Sequence, residues 1–199
     1  MLRRAEQGGH KNRIRFQESD IEQLPFGEKE FDVVLCQFGL MFAPGRKRCF
    51  QEIYRVLKPQ GSFAAAVWGT AEQNAGCAGI LQILNEYLPP RVEGQPSMFE
   101  LGTPKLLEGE LQSVGFRDYK EILMEVIFHH KSADEAWIAW KNNGPAGVAL
   151  SQLDKGKQKD VEKKIRKHGS KYKTKSKTIE MPAKALLFSA KRGFETLQL

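Results

Sequence analysis

The chain has 199 residues, of which 41% are hydrophobic and 28% are charged, and its formal net charge at pH 7 is +7. This length can bury a sizeable core, so we expect a single domain over residues 1–199. The sequence contains no run of about eighteen apolar residues and therefore predicts no membrane span. Its first ten residues, MLRRAEQGGH, lack the apolar centre of a secretory signal.

The cysteines Cys36, Cys49 and Cys77 are odd in number and do not have the spacing of metal ligands. An odd set of cysteines also argues against a disulfide framework. We therefore predict reduced thiols, a cytoplasmic location and no bound metal.

Three candidate strands lie near the start of the chain, at Ile14–Glu18, Phe31–Cys36 and Ser62–Trp68. The last two read FDVVLC and SFAAAVW, and a strand that is apolar at almost every residue is typically covered on both faces, as in a parallel α/β sheet. Between them, Arg46–Leu57 places its apolar residues on one helical face. Strand, helix and strand form a βαβ unit, and ligands of such sheets bind at the carboxyl ends of the strands.

The motifs of this unit follow one another in a specific order. Asp20 precedes Leu24-Pro25-Phe26, Phe31-Asp32 opens the second candidate strand, and Arg55-Val56-Leu57-Lys58-Pro59 ends the helix. Together they resemble the class I S-adenosylmethionine-dependent methyltransferases, in the type 11 or ubiquinone/menaquinone-biosynthesis branch. The resemblance implies an α/β, Rossmann-like methyltransferase sheet that is mostly parallel and has an antiparallel last strand, for which Ala183–Ala190 is the candidate.

Two cofactor-binding features of that family have no counterpart in the sequence. The resemblance implies a glycine-rich turn, where the backbone approaches the cofactor, and an acidic residue at the end of the next strand. We find neither, and Gln60 replaces a glycine of the family's R-x-L-K-P-G-G motif. We therefore expect the N-terminal strands of the sheet to be missing. Two hypotheses follow: methyl transfer to a small organic acceptor, or a truncated, non-catalytic relative that acts by interaction.

The resemblance also assigns roles to residues at the strand ends, with S-adenosylmethionine as the cofactor. Asp20 corresponds to the acceptor for the adenine amino group and Ile21 to a contact with the ring, although Asp20 could instead cap a turn. Gln37 and Phe38 are expected where the methionine part of the cofactor meets the acceptor. The pocket for the acceptor is then predicted to comprise Leu40, Met41, Phe42 and Trp68, all of which could equally be core residues.

Residues 70–104 and 129–178 are expected to form substrate-side or cap insertions, with a strand at Tyr119–Phe128 between them. His129 and His130 could supply a base near neutral pH. Adjacent strand residues point to opposite faces, so at most one of them could serve, and a solvated strand end is the favoured alternative. In the second insertion, Trp137 and Trp140 cover either the pocket or only the core.

The segment Lys155–Lys177 is strongly basic, because eleven Lys or Arg residues stand against Asp160 and Glu162, a net charge of +9. Such a segment could contact nucleic-acid phosphates. Tyr172 is its only aromatic residue, however, and we favour a solvated basic helix. The predicted partner is therefore a small-molecule methyl acceptor rather than nucleic acid.

Overall fold

The computed structural model of the protein describes residues 14–90, 95–142 and 144–194. Within these ranges one sheet contains the strands β1 (Phe31–Gln37), β2 (Leu57–Trp68), β3 (Phe116–His130) and β4 (Ile179–Arg192). The helices are α1 (Arg46–Val56), α2 (Ala75–Asn85), α3 (Leu106–Val114), α4 (Ala133–Asn142), α5 (Gly144–Ser151) and α6 (Lys155–Gly169). None of the helices in the described part of the chain is both long and apolar enough to cross a membrane.

The strands are ordered β1-β2-β4-β3 across the sheet. β1 and β2 run parallel with Val34 opposite Phe63, and α1 is the crossover between them. β4 is antiparallel to both β2 and β3. The predicted α/β class and its antiparallel last strand are confirmed. Among the described residues only the β1–β2 pair is parallel, because β4 lies between β2 and β3, so the sheet is mixed rather than mostly parallel.

The predicted strand Ile14–Glu18 is not observed. Residues 14–19 have no regular secondary structure, and residues 14–20 are exposed. A strand requires a neighbour that takes up its backbone hydrogen bonds. In the described sheet β1 pairs only with β2, so residues 14–18 add no strand to its other edge.

The main core lies on one face of the sheet, under α1 and α3. α1 forms because its apolar residues recur at helical spacing, and it buries Phe50 and Ile53. Phe63 of β2 contacts the rings of three neighbours, with centroid distances of 6.3, 5.9 and 5.7 Å. Those neighbours are Phe50, Phe116 and Phe188. The same core includes Leu107 and Leu111, which α3 buries.

A second buried cluster joins α2, α4, α5 and α6 to the first half of β4. Its centre includes Ile80, Trp137, Val161, Ile165 and Met181. α2 approaches β4 closely, because a Cβ on Gly76 would lie 2.2 Å from the side chain of Met181. The glycine in α2 therefore permits this contact, and helices from both segments predicted as insertions pack together on one side of the sheet.

The rest of that face of the sheet is open. Val33 and Leu35 of β1 are 53% and 74% exposed, and Ile122 and Met124 of β3 are 62% and 45% exposed. Strand register places these side chains on the same face. The expectation that β1 would be covered on both faces is therefore wrong for the described structure, because its second face has no packed neighbour there.

Arg192 ties the end of β4 to the end of α1. Its Nη1 donates to the carbonyl oxygens of Tyr54, Arg55 and Leu57, at 2.9, 3.2 and 2.5 Å. Its guanidinium also lies over the Tyr54 ring, 4.6 Å from the centroid. A cation at this position satisfies carbonyl groups that a helix leaves unpaired at its C-terminus.

Candidate active site

The carboxyl ends of β1 and β2 are joined by an aromatic stack. The backbone N–H of Phe38 donates to the carbonyl oxygen of Ala66 at 2.9 Å. Phe38 has a φ of +53°, a conformation that residues with a Cβ rarely adopt. Its ring stacks on Trp68 with centroids 4.2 Å apart and an interplanar angle of 20°. Such uncommon conformations cluster at functional sites, and here it aims Phe38 at the end of β2.

An apolar cavity of about 340 Å³ lies beside this stack. Its walls come from both strand ends, from α2, from the loop before α3 and from α4 and α5. The lining residues are Phe38, Phe42, Trp68, Cys77, Ile80, Leu81, Met98, Trp140, Gly144 and Ala146. No described residue of this lining carries a charge, and the cavity is within the size range of small-molecule sites.

The structure divides the four residues predicted for the acceptor pocket. Phe42 and Trp68 line the apolar cavity. Leu40 and Met41 are 0% and 2% exposed and line a separate cavity of about 240 Å³ with Arg46. The difference arises because the chain turns through a short 3-10 helix at Leu40–Phe42, whose successive side chains point in different directions.

The two tryptophans of α4 also differ in environment. Trp140 lines the cavity, whereas Trp137 is buried in the second cluster. Leu81 and Ile80 of α2 also line the cavity, and the sequence analysis did not place them there. Which face of that helix meets a cavity depends on how it packs on the sheet.

Asp20 and Ile21 lie in a turn before β1. The Asp20 side chain is exposed, and its Oδ1 accepts a hydrogen bond from the backbone N–H of Glu22 at 2.9 Å. Ile21 is half-buried against the main core. Gln37 is exposed at the end of β1. Neither Asp20 nor Gln37 lines the apolar cavity.

The motif residues around this turn hold it against α1. Glu22 Oε1 accepts from the N–H of Gly45 at 2.6 Å, and Glu52 Oε2 accepts from the N–H of Leu24 at 2.8 Å. Arg55 donates to the carbonyl oxygens of Leu24 and Phe26 at 3.0 and 2.8 Å. The L-P-F motif and the arginine at the end of the helix therefore position the turn that carries Asp20.

The two adjacent histidines at the end of β3 have different surroundings. Nδ1 of His129 lies 3.4 Å from Oε1 of Glu180 at an exposed position. His130 is half-buried, its ring lies edge-on to Trp140 at 6.0 Å, and its Nε2 has no hydrogen-bond partner in the described structure. Burial lowers the pKa of His130, which favours its neutral form. Neither histidine lines the apolar cavity.

The basic segment forms α6 and the loop that follows it. Val161 and Ile165 are buried, so the helix has the weak apolar side that its sequence indicates. Lys164 lies 2.9 Å from Oε2 of Glu86, and Arg166 Nη1 lies 2.7 Å from Oδ1 of Asp134. Sequence patterns did not identify His168, whose Nε2 lies 3.0 Å from the carbonyl oxygen of Gly76 and fixes α6 to α2.

Known proteins resemble this chain in both sequence and fold. Residues 1–65 match the model of a methyltransferase domain. The chain is 40% identical over 143 residues to the ubiquinone/menaquinone biosynthesis C-methyltransferase UbiE of Rickettsia prowazekii, a match that covers 72% of this chain and 50% of that protein. It is 36% identical over 64 residues to sterol 24-C-methyltransferase of Pneumocystis carinii. That match covers 32% of this chain and 17% of the sterol methyltransferase. The chain thus spans half or less of the length of these curated relatives.

The solved structure of the YcgJ protein from Bacillus subtilis superimposes with a TM-score of 0.59 at 16% identity. The superposition covers 96% of this chain and 76% of that one, and at this identity it shows the fold alone. The ordered motifs, the mixed α/β sheet and the sequence matches all agree. Together they support a class I S-adenosylmethionine-dependent methyltransferase domain in the part of the chain that the comparisons cover.

Proposed function

We propose that this chain takes part in S-adenosylmethionine-dependent methyl transfer to a small organic acceptor. The observation that carries the proposal is the position of Phe38. This residue follows Gln37 at the end of β1, where the family resemblance expects the cofactor, and its ring also lines the apolar cavity. A single side chain thus borders both the expected cofactor edge and an apolar cavity that could hold an acceptor.

The described residues supply part of a site that fits this cofactor. The exposed Asp20 carboxylate uses one oxygen within its turn, and its other oxygen could accept from an amino group. The amide of Gln37 and the π faces of Phe38 and Trp68 suit a cationic ligand. When bound, S-adenosylmethionine supplies an activated methyl group on a positively charged sulfur.

The contribution of this chain is to bind and orient the acceptor. The apolar walls from α2 and α4 contact the acceptor, while the stacked Phe38 and Trp68 restrict how a flat molecule can lie against the strand ends. Holding two reactants in a productive orientation contributes up to about 7–11 kcal/mol to a bimolecular reaction. We assign residues 70–104 and 129–178 to the substrate side of a single domain, because both segments line the cavity.

Calorimetric titration of S-adenosylhomocysteine into the 199-residue chain tests the cofactor site. We expect binding that Asp20→Ala weakens about tenfold, because a hydrogen bond to a charged group contributes about 1.5–3 kcal/mol. Asp32→Ala is the matched control, since this exposed aspartate pairs with Lys58 at the other end of β1. Absence of binding, or equal weakening by both substitutions, would contradict the proposal.

A further inference from the structure

We infer that the apolar cavity binds uncharged aromatic amines, and that nitrogen is the atom of the acceptor that is methylated. This inference rests on the proposed methyl transfer and names the acceptor class for the same site. It follows from three properties of the described lining residues, which include no charged side chain and no base but do include aromatic faces.

The first property is the lack of any charged side chain among the described lining residues. Ile80, Leu81 and Met98 provide apolar walls, and Trp68 and Trp140 provide aromatic ones. Moving an ion out of water into such surroundings is unfavourable unless a partner compensates its charge. The cavity therefore favours a neutral molecule over a carboxylate or a phosphate. A primary alkylammonium ion is also disfavoured, because the aromatic rings do not replace the hydrogen-bond acceptors that its three N–H groups lose on leaving water.

The second property is the lack of a base. Cys77 is the only lining residue among those described that can titrate near neutral pH, and burial raises the pKa of its thiol to about 11. A protonated thiol cannot take a proton from a phenol or from a ring carbon at pH 7. Methylation of a phenol oxygen, or of a ring carbon that a phenol activates, is favoured by prior loss of the hydroxyl proton, whereas a neutral amine nitrogen is nucleophilic without losing a proton.

The third property concerns the charge that moves during the reaction. The amine nitrogen uses its electron pair to form the new N–CH₃ bond, the S–CH₃ bond breaks, and its electron pair stays on sulfur, which becomes a neutral thioether. The single positive charge passes from sulfur to nitrogen beside the Phe38 and Trp68 rings, whose π faces stabilise cations. The N-methylated ammonium then loses a proton to water. No negative charge is buried at any stage.

Aromatic amines suit this cavity better than aliphatic ones. Their nitrogen electron pair is delocalised into the ring, so they remain uncharged at neutral pH and need no deprotonation before binding. Their flat rings can stack on Trp68 or meet the edge of Trp140, arrangements that contribute about 0.5–1.5 kcal/mol beyond burial. A bicyclic ring system is compatible with a cavity of about 340 Å³.

Binding is measured first, without cofactor, by calorimetry at pH 7.5. Three probes share one ring system and one substitution position: aminonaphthalene, which is neutral, naphthoate, which is an anion, and naphthylmethylamine, which is a cation. We expect aminonaphthalene to bind at least about tenfold more tightly than either charged probe. Equal or tighter binding of naphthoate would overturn the inference.

Substitutions locate the binding in the cavity. Met98→Lys adds a charge to its wall and is expected to weaken aminonaphthalene binding at least about tenfold. Val148→Lys is the matched control, because Val148 is 62% exposed on α5. Leu81→Trp fills the cavity without adding a charge and should weaken binding similarly. Binding that survives both cavity substitutions would place the probe elsewhere and overturn the inference.

Transfer of a labelled methyl group separates this inference from the proposed function. Transfer of the label to aminonaphthalene but not to naphthol would support both the proposed function and the choice of nitrogen as the methylated atom. Label on naphthol but not on aminonaphthalene supports the proposed function and overturns the choice of nitrogen. Selective binding of aminonaphthalene without transfer to any acceptor supports the ligand class of the cavity and contradicts the proposed function.

Discussion

β1 and β2 lie side by side, run parallel and are both apolar in sequence, yet their surroundings differ. β2 has a strand on each side, and Phe63, Ala65 and Val67 are buried beneath α1 and α3. β1 is an edge of the described sheet, and its Val33 and Leu35 are exposed. An apolar run thus predicts that a strand forms, but it does not specify how many layers cover that strand.

The difference has an energetic consequence that substitutions can measure. Burial of apolar surface stabilises a fold by roughly 25 cal/mol per Å² removed from water. A side chain that stays in solvent contributes little of this, whatever its hydrophobicity. Stability should therefore depend on the buried side chains of β2 far more than on the outward-facing side chains of β1.

The largest effect is expected for Phe63→Ala. This side chain is fully buried and contacts three aromatic rings, so its removal leaves a cavity that the sheet cannot close. We expect a loss of about 3–5 kcal/mol in the free energy of unfolding, measured by denaturant titration. A loss below about 1 kcal/mol would show that the core around β2 repacks freely.

Arg192→Met tests how β4 is held to α1 at the covered face. The substitution keeps the apolar stem and removes three hydrogen bonds to carbonyl groups at the end of α1. We expect a destabilisation of about 2–3 kcal/mol, because buried carbonyl groups lose a charged donor. Lys191→Met is the control, because the neighbouring Lys191 side chain is exposed. If both substitutions lowered the free energy of unfolding equally, the structural role of Arg192 would be contradicted.

A smaller, pH-dependent effect is expected at Glu52, which binds the turn before β1. Its hydrogen bonds with Arg55 lower the pKa of the Glu52 carboxyl, although burial opposes this shift. The stabilisation is therefore present above the ordinary glutamate pKa and is lost as the pH falls through the lower pKa of the folded state.

Glu52→Gln should destabilise the protein by about 1 kcal/mol at pH 7 and by less near pH 3. Denaturant titrations at both pH values measure the difference. Glu18→Gln, at an exposed position before β1, should have no effect at either pH. A constant difference between wild type and Glu52→Gln across this range would contradict the assignment.

The smallest change in stability is expected for Leu35→Thr on the open face of β1. Leu35 is 74% exposed, so its replacement should alter the free energy of unfolding by less than about 0.5 kcal/mol. Exposed apolar edge strands promote association, and light scattering at high protein concentration should therefore decrease. A destabilisation comparable to that of Phe63→Ala would mean that β1 is covered in solution.

Much of the first βαβ unit could be predicted from sequence, because its signals are local. The apolar face of α1, the strand FDVVLC and the motif order each depend on residues close together in the chain. Ile14–Glu18 could not be judged in this way, since a strand depends on a partner that the local pattern does not specify. The pocket was anticipated only in part for a similar reason: Phe42 and Trp68 reach the apolar cavity, while Leu40 and Met41 lie elsewhere.

The sequence by itself determined the fold class and the resemblance to methyltransferases, because both are encoded in short-range periodicity and in ordered motifs. Only the tertiary structure decided that Leu81 and Trp140 meet Phe38 and Trp68 around one apolar cavity. These residues lie on separate elements, and their meeting depends on how α2 and α4 pack against the sheet. Which face of each helix turns toward that cavity is set by long-range packing, which no local pattern of residues encodes.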